Sequence, residues 1–168
     1  MMIKEQIRVY LEKLNDELSL MGVKGEVCLY GGAVMCLVYD ARPSTKDVDA
    51  IFKPVGKIRE AIKRVANEFQ LREDWLNDAV KGFIVKHPYK IFISFSNLEI
   101  YAPDPDYLLA MKSMALRVDS TDKQAIQFLI RLMELKSANE VFDILEKYYP
   151  RNQIKPAAQF FIEELFGQ

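Results

Sequence analysis

Two short stretches of this 168-residue chain contain residues whose types and spacing could do chemistry. Gly31-Gly32 ends one apolar run, and the carboxylates Asp47 and Asp49 flank Val48 at the start of another. Residues two apart on a strand leave the same face of the sheet. Two carboxylates held in this way can share a divalent cation such as Mg²⁺, and glycines before a helix let backbone N–H groups approach a phosphate.

Each pattern alone also has a plain structural explanation. An Asp-x-Asp sequence is common where a strand begins in solvent, and two glycines after a strand usually form only a turn. The order of elements favours a joint site, because a short apolar helix and a polar, Arg-containing loop over residues 40–46 separate the two stretches. The glycines and the carboxylates would then lie at the ends of neighbouring strands, where both could contact the same triphosphate.

The elements that must position these residues follow from hydrophobic periodicity. Apolar residues at three- and four-residue spacing predict amphipathic helices over residues 3–21 and 58–69. A strand before the second helix implies a crossover connection and hence some parallel pairing. Short strands are predicted at residues 27–30, 47–52, 82–86, 90–95 and 98–102.

From residue 104 onward the sequence predicts helices. Asp104 caps and Pro105 opens one to about residue 118, residues 120–122 open a second, residues 137–140 form a capping box for a third, and a last begins near residue 156. We therefore predict an α+β fold in a single domain, with a C-terminal helical segment. Residues 1–103 would form a mixed sheet flanked by helices, and residues 104–168 a helical part packed on it.

Composition limits the classes of function. With 23 Lys and Arg against 24 Asp and Glu, the net charge of -1 provides no overall basic field for nucleic acid. There is no apolar run of about 18 residues to span a membrane, and the charged start lacks the apolar core of a signal peptide. Cys28 and Cys36 lie in apolar surroundings without a CxxC pair. We expect a cytoplasmic protein with reduced core thiols and no membrane partner.

The stretch Gly31-Gly32, followed by Arg42-Pro43-Ser44-Thr45-Lys46-Asp47-Val48-Asp49, resembles the signature of the DNA polymerase beta-like minimal nucleotidyltransferases. It is more closely similar to the branch that includes the AbiEii-type toxins of abortive-infection and toxin–antitoxin systems. A second stretch, Pro105-Asp106-Tyr107-Leu108-Leu109-Ala110-Met111-Lys112 with Arg117 and residues 119–122, is similar to the downstream helix pair of that branch. The resemblance spans roughly residues 26 to 132.

The resemblance implies an enzyme that transfers a nucleoside monophosphate from an NTP to an RNA or protein hydroxyl, with Mg²⁺ or Mn²⁺ as cofactor. It also implies a toxin–antitoxin or phage-defence setting with a cognate antitoxin protein as partner. Asp47 and Asp49 would be catalytic metal ligands, Lys112 would bind the triphosphate, and Asp122 would orient that lysine. The residues implied near the phosphates are Gly31, Gly32, Arg42, and Ser44 or Thr45.

Fuller members of the family carry a third carboxylate on a later strand, often as the general base. Glu99 is the positional candidate for this metal ligand, and Asp78, in an unusually polar segment beside Trp75, is the other. Glu99 could equally face solvent on an edge strand, and Asp78 could belong to a loop that caps the core. If the third carboxylate is missing, the alternative is a degenerate, non-catalytic relative that binds a nucleotide or a partner protein.

Overall fold

A computed structural model describes residues 1–116 and 121–167, which form two compact units. The first unit comprises Met1–Ile84 and Tyr89–Pro103, and the second comprises Val85–Pro88 and the chain from Asp104 onward. The division after residue 103 coincides with the predicted limit between the sheet and the helical part. The segment Val85–Pro88 departs from the expectation, because it groups with the helical unit.

The first unit is built on a mixed five-stranded sheet in the order β5-β4-β2-β7-β6. Its strands, with a small separate β1–β3 pair, are β1 (Met2–Ile3), β2 (Gly25–Tyr30), β3 (Ser44–Thr45), β4 (Val48–Lys53), β5 (Leu76–Asn77), β6 (Tyr89–Ser94) and β7 (Leu98–Pro103). Strand β2 is antiparallel to β4 and parallel to β7, and β4 is parallel to β5. The α+β class, the mixed sheet and the parallel pairing are confirmed, although the crossover from β4 ends at β5, where no strand was predicted.

Helices α1 (Lys4–Leu20), α2 (Gly31–Leu37) and α3 (Val55–Phe69) complete this unit. The stripe predicted on α1 is fully buried at Ile7, Leu11, Leu14 and Leu18, and α1 packs against α3. Along β4 the residues Val48, Ala50 and Phe52 are buried, whereas the residues between them are partly exposed. Apolar burial at period two thus fixes the face of β4 that Asp49 occupies. Asp47, predicted as the first residue of this strand, lies in the bend before it.

The strand predicted at residues 82–86 is wrong. A 3₁₀ helix occupies Ala79–Phe83, and the Val85 N–H donates to the Tyr107 hydroxyl at 3.1 Å instead of to a neighbouring strand. His87 stacks on the Tyr107 ring with a centroid distance of 4.0 Å. Side-chain contacts in the helical unit therefore replace the expected sheet pairing.

The regular elements described in the second unit are helical, as predicted. They are α4 (Pro105–Met114), α5 (Asp122–Leu132), α6 (Ala138–Glu146), a 3₁₀ turn at Arg151–Gln153, and α7 (Pro156–Leu165). Ser137 caps α6 by accepting the Glu140 N–H at 3.2 Å, while the Glu140 carboxylate accepts the Lys136 N–H at 3.0 Å. The predicted end of α4 near residue 118, and the motif residues 117 and 119–120, lie outside the described residues.

The structure also bears on the membrane and cysteine predictions. In the described part of the chain, no helix has both the length and the apolar character to cross a membrane. Burial raises the pKa of the Cys28 thiol to about 11 and also raises that of Cys36, so both thiols are protonated at neutral pH. Neither cysteine is in a disulfide.

Candidate functional site at the ends of two strands

The register of the sheet brings Asp49 beside the glycine pair. Strands β2 and β4 are antiparallel with Tyr30 opposite Asp49, so the chain enters Gly31 next to that carboxylate. Gly31 has φ of +63°, and a Cβ atom there would lie 2.9 Å from Asp49 Oδ2. Both the backbone conformation and the space therefore require glycine at this position.

Gly32 makes an equally close approach to the polar loop. A Cβ atom on Gly32 would lie 2.6 Å from Arg42 Nη1 and 2.9 Å from Thr45 Oγ1. Within the loop, Arg42 Nε donates to the Ser44 carbonyl at 2.8 Å. We call this cluster the glycine cradle, and its members are Gly31, Gly32, Arg42, Thr45 and Asp49.

The glycine cradle brings together five of the predicted site residues within one unit. Thr45 is only 4% exposed, and its hydroxyl donates to the Asp47 carbonyl at 3.1 Å, so it holds the backbone that leads into β4. Ser44 contributes its carbonyl to Arg42 and pairs with Ile3 across the small β1–β3 sheet. The contact shown for Ser44 is thus structural and uses the backbone.

Asp47 has a different environment from Asp49. It precedes β4, its neighbour Val48 is fully buried, and the Val48 N–H donates to the Trp75 carbonyl at 2.7 Å. Asp47 borders a cavity of about 290 Å³ that Tyr10 and Trp75 also line. Both carboxylates are half-buried, but Asp49 lies against the glycines while Asp47 lies against this cavity.

The chemistry of this donor set fits a hard divalent cation. Magnesium usually takes one or two protein carboxylates and completes its shell with water and phosphate oxygens, so Asp47 and Asp49 are a sufficient protein contribution. Across residues 1–116 and 121–167, no three His, Cys, Asp or Glu side chains group closely enough to hold a metal ion. Any metal bound here would therefore depend on oxygens from substrate and water.

The register of the sheet separates Glu99, the predicted third metal ligand, from Asp49. In the parallel β2–β7 register Glu99 lies beside Glu26, whereas Asp49 lies beside Tyr30, four residues further along β2. At about 3.3 Å per residue and about 4.8 Å per strand spacing, this separates the two Cα atoms by roughly 16 Å. Glu99 instead accepts a hydrogen bond from the Ser94 hydroxyl at 2.8 Å. It belongs to the other end of the sheet.

Asp78 is engaged elsewhere. It follows Asn77, which pairs with Asp49 in the β4–β5 ladder, so its backbone is close to the site. Its carboxylate, however, accepts from Arg59 of α3 at 3.0 Å and lies 3.7 Å from the Lys81 amine. These two cations account for the position of the Asp78 carboxylate.

Within the helical unit the expected contact between Lys112 and Asp122 is present. The Lys112 amine lies 3.1 Å from Asp122 Oδ1, and the two side chains are only 13% and 11% exposed. Lys112 is in the last turn of α4 and Asp122 is in the first turn of α5, where a carboxylate is also favoured by the helix dipole. A buried pair of this kind fixes the lysine amine in one position.

Sequence reasoning missed the cavity beside Asp47. Its lining comes from the start of the chain, from Lys46 and Asp47, and from residues 70–75. The spacing of residues within one stretch cannot reveal such a cavity, because its walls come from separate parts of the chain. Trp75 reaches Val48 only because the two-residue strand β5 pairs with β4. The unusual polarity around Trp75 was the available signal.

No protein-family model, curated protein sequence or solved structure matches this chain. The nucleotidyltransferase resemblance therefore depends on the motif residues named above.

Proposed function

We propose that this protein is a metal-dependent nucleotidyltransferase that transfers a nucleoside monophosphate from an NTP to an acceptor hydroxyl. The observation that supports this best is the glycine cradle, in which Gly31 and Gly32 approach the Asp49 carboxylate and the Arg42 guanidinium more closely than any side chain would allow. Phosphoryl transfer requires mainly positioning and charge neutralisation. Backbone amides, a guanidinium and paired carboxylates are suitable groups for both.

In this proposal the site residues of the first unit have different roles. Asp47 and Asp49 hold Mg²⁺ or Mn²⁺, which when bound neutralises charge on the phosphate oxygens. Gly31 and Gly32 admit phosphate oxygens to backbone N–H groups, and Arg42 pairs with phosphate through a charge-assisted hydrogen bond. Thr45 is a positioning residue, because its hydroxyl holds the Asp47 carbonyl.

The reaction balances as an in-line displacement. The acceptor oxygen bonds to the α-phosphorus while the bond from that phosphorus to the bridging oxygen of the β-phosphate breaks, and diphosphate leaves. The proton of the acceptor hydroxyl passes to water.

Roles for the helical unit follow from the resemblance. It assigns the triphosphate to Lys112 and the orientation of that lysine to Asp122, and the observed ion pair supports the second assignment. The acceptor would be an RNA or protein hydroxyl, and a cognate antitoxin protein would be the partner in a toxin–antitoxin or phage-defence setting.

Transfer of label from NTPs tests the proposal. The wild-type protein is incubated with radiolabelled NTPs, Mg²⁺ or Mn²⁺ and cell extract, in parallel with Asp47→Ala/Asp49→Ala. A variant of the exposed Asp143 in α6, Asp143→Ala, is the matched control. We expect macromolecular label with wild type and the control, and none with the double variant. Equal label in all three proteins would refute the proposal.

A second candidate function is favoured by one specific observation. Glu99 lies at the other end of the sheet from Asp49, and Asp78 is paired with Arg59 and Lys81. A relative without a third carboxylate could bind a nucleotide or a partner protein without catalysis. NTP that raises the melting temperature in the presence of Mg²⁺, with no label transferred by wild type, would identify this binding role.

A further inference from the structure

The cavity beside Asp47 is distinct from the glycine cradle. Of the two acids, Asp47 borders it, and none of the five cradle residues lines it. Apolar atoms come from Tyr10, Leu71 and Trp75. Its volume of about 290 Å³ is close to the lower limit of about 300 Å³ for small-ligand pockets, so it can accept one side chain or a small molecule.

Two hydrogen bonds place Asp47 between the two regions. Thr45, a cradle residue, donates its hydroxyl to the Asp47 carbonyl at 3.1 Å. On the other side, the N–H that follows Asp47 donates to the carbonyl of Trp75, which lines the cavity, at 2.7 Å. The backbone at Asp47 is thus held by the cradle through one bond and by the cavity wall through the other.

In an in-line displacement the attacking and leaving oxygens lie on opposite sides of the phosphorus. If the triphosphate lies in the cradle, the acceptor therefore needs a separate site nearby, and the cavity that Asp47 borders is such a site. We infer that the cavity is the acceptor site and that it receives a hydroxyl-bearing side chain of a protein. The inference rests on the proposed nucleotidyltransferase function.

The charges of the cavity favour a protein over an RNA acceptor. Its charged side chains balance, with Lys46 and Arg72 against Asp47 and Asp74, and Arg72 is already paired with Asp74 at 3.0 Å. Sites for a polyanion need an excess of cations.

The aromatic residues of the cavity also favour a protein over an RNA acceptor. Tyr10 and Trp75 are 9% and 3% exposed, and the Trp75 indole N–H donates to the Ile62 carbonyl at 3.1 Å. Their rings pack edge to face with centroids 5.7 Å apart. These rings are parts of the core and do not present open faces on which a nucleobase could stack.

In the inferred step the side-chain O–H bond breaks as its proton passes to water, and the oxygen bonds to the α-phosphorus. The bond between that phosphorus and the β-bridging oxygen breaks, and diphosphate leaves. The product is a phosphodiester that joins the acceptor side chain to the nucleoside.

A cavity-filling variant tests the inference. Leu71→Trp introduces a bulky ring into the lining, and Leu20→Trp is the matched control, because Leu20 is 80% exposed and lies outside the cavity. Each protein is assayed for the Mg²⁺-dependent rise in melting temperature with NTP, and for label transferred from NTP to extract. Labelled products are then digested with protease or ribonuclease. If Leu71→Trp does not fold, Asp74→Trp at the cavity rim takes its place.

We expect Leu71→Trp to lose about tenfold or more of the transfer while it keeps the wild-type response of its melting temperature to NTP. Leu20→Trp should match wild type in both, and the label should be sensitive to protease and resistant to ribonuclease. Ribonuclease-sensitive label, or unchanged transfer by the filled variant, overturns the acceptor inference alone. If NTP does not change the melting temperature of the wild-type protein, the proposed function is overturned as well. If wild type binds NTP but transfers no label, the protein has the binding role and the acceptor inference is overturned.

Discussion

The glycine cradle of the first unit and the Lys112–Asp122 pair of the second are assembled by different means. The cradle joins residues that antiparallel strands bring together, and its close contacts exist because two positions lack a Cβ atom. The pair joins two charges at neighbouring helix ends, ten residues apart, and excludes water from both, since the side chains are 13% and 11% exposed.

Because of this difference, changes in the cradle should act mainly on ligand binding, and changes in the pair should act mainly on the stability of the fold. A change in the cradle moves partly exposed polar groups, so it should affect ligand binding more than folding. A change in the pair leaves a buried charge without its partner, which is costly to the folded state. The following variants test that separation, from the largest expected change in the free energy of unfolding to the smallest.

Removal of Asp122 should have the largest effect on stability. Asp122→Ala leaves the Lys112 ammonium buried and unpaired, and we expect a loss of about 3 kcal/mol in the free energy of unfolding by urea. Glu146→Ala is the matched control, because its pair with Arg151 is 36% and 60% exposed, and it should cost less than about 1 kcal/mol. The double variant Lys112→Met/Asp122→Ala should recover part of the loss. Equal costs for Asp122→Ala and Glu146→Ala would contradict the importance of burial at the pair.

Gly31→Ala should be next, with an effect on both properties. Its φ of +63° makes alanine strained, and the new Cβ would displace Asp49 Oδ2 from 2.9 Å. We expect a loss of about 2 kcal/mol and at least about tenfold weaker Mg²⁺-dependent NTP binding. Gly22→Ala separates the two causes, because Gly22 has φ of +68° but no atom within 4 Å of the added Cβ. If Gly22→Ala weakens NTP binding equally, the contact with Asp49 has no special role.

Gly32→Ala should change binding more than folding. The added Cβ would meet Arg42 Nη1 at 2.6 Å and Thr45 Oγ1 at 2.9 Å, and the guanidinium at the end of a long side chain can move aside more easily than the buried Thr45 hydroxyl. We expect a loss of about 1 kcal/mol and about tenfold weaker NTP binding by calorimetry. Gly56→Ala in α3 is the control, since nothing lies within 4 Å of its added Cβ. Unchanged NTP affinity in Gly32→Ala would show that Arg42 does not contribute to nucleotide binding.

Asp78→Asn should have the smallest effect. Its pair with Arg59 is partly exposed, with side chains 20% and 54% accessible, so the free energy of unfolding should fall by less than about 1 kcal/mol. NTP affinity should remain within about twofold of wild type. A large loss of affinity would show that Asp78 acts at the site and would reopen its role as the third carboxylate.

The sequence was sufficient for the parts of the fold that depend on local pattern. Apolar alternation predicted that Val48 and Asp49 point to opposite faces of β4, and the stripe on α1 predicted its buried face. The motif order correctly brought the glycines, Arg42 and Asp49 into one cluster. The contact of Lys112 with Asp122 also followed from the motif.

The errors concern register and very short elements. Glu99 is on a later strand as expected, but hydrophobic pattern does not specify which residue of β2 it lies beside, and a four-residue offset removes it from the site. Strand β5 has two residues and no period to detect, so Trp75 and the cavity beside Asp47 could not be foreseen. In α7 the buried stripe runs through Ala158 and Ile162, which leaves Phe160 68% exposed.

Within the glycine cradle, Asp49 should take part in binding an NTP with its metal, whereas Glu99 should not. Calorimetric titration of NTP in the presence and absence of Mg²⁺ tests it most directly, with wild type, Asp49→Asn and Glu99→Gln compared. Both variants remove one charge and keep the side-chain shape. We predict Mg²⁺-dependent binding by wild type, about tenfold weaker binding by Asp49→Asn, and binding within about twofold of wild type by Glu99→Gln. Equal weakening by the two variants, or unchanged binding by Asp49→Asn, would contradict the account.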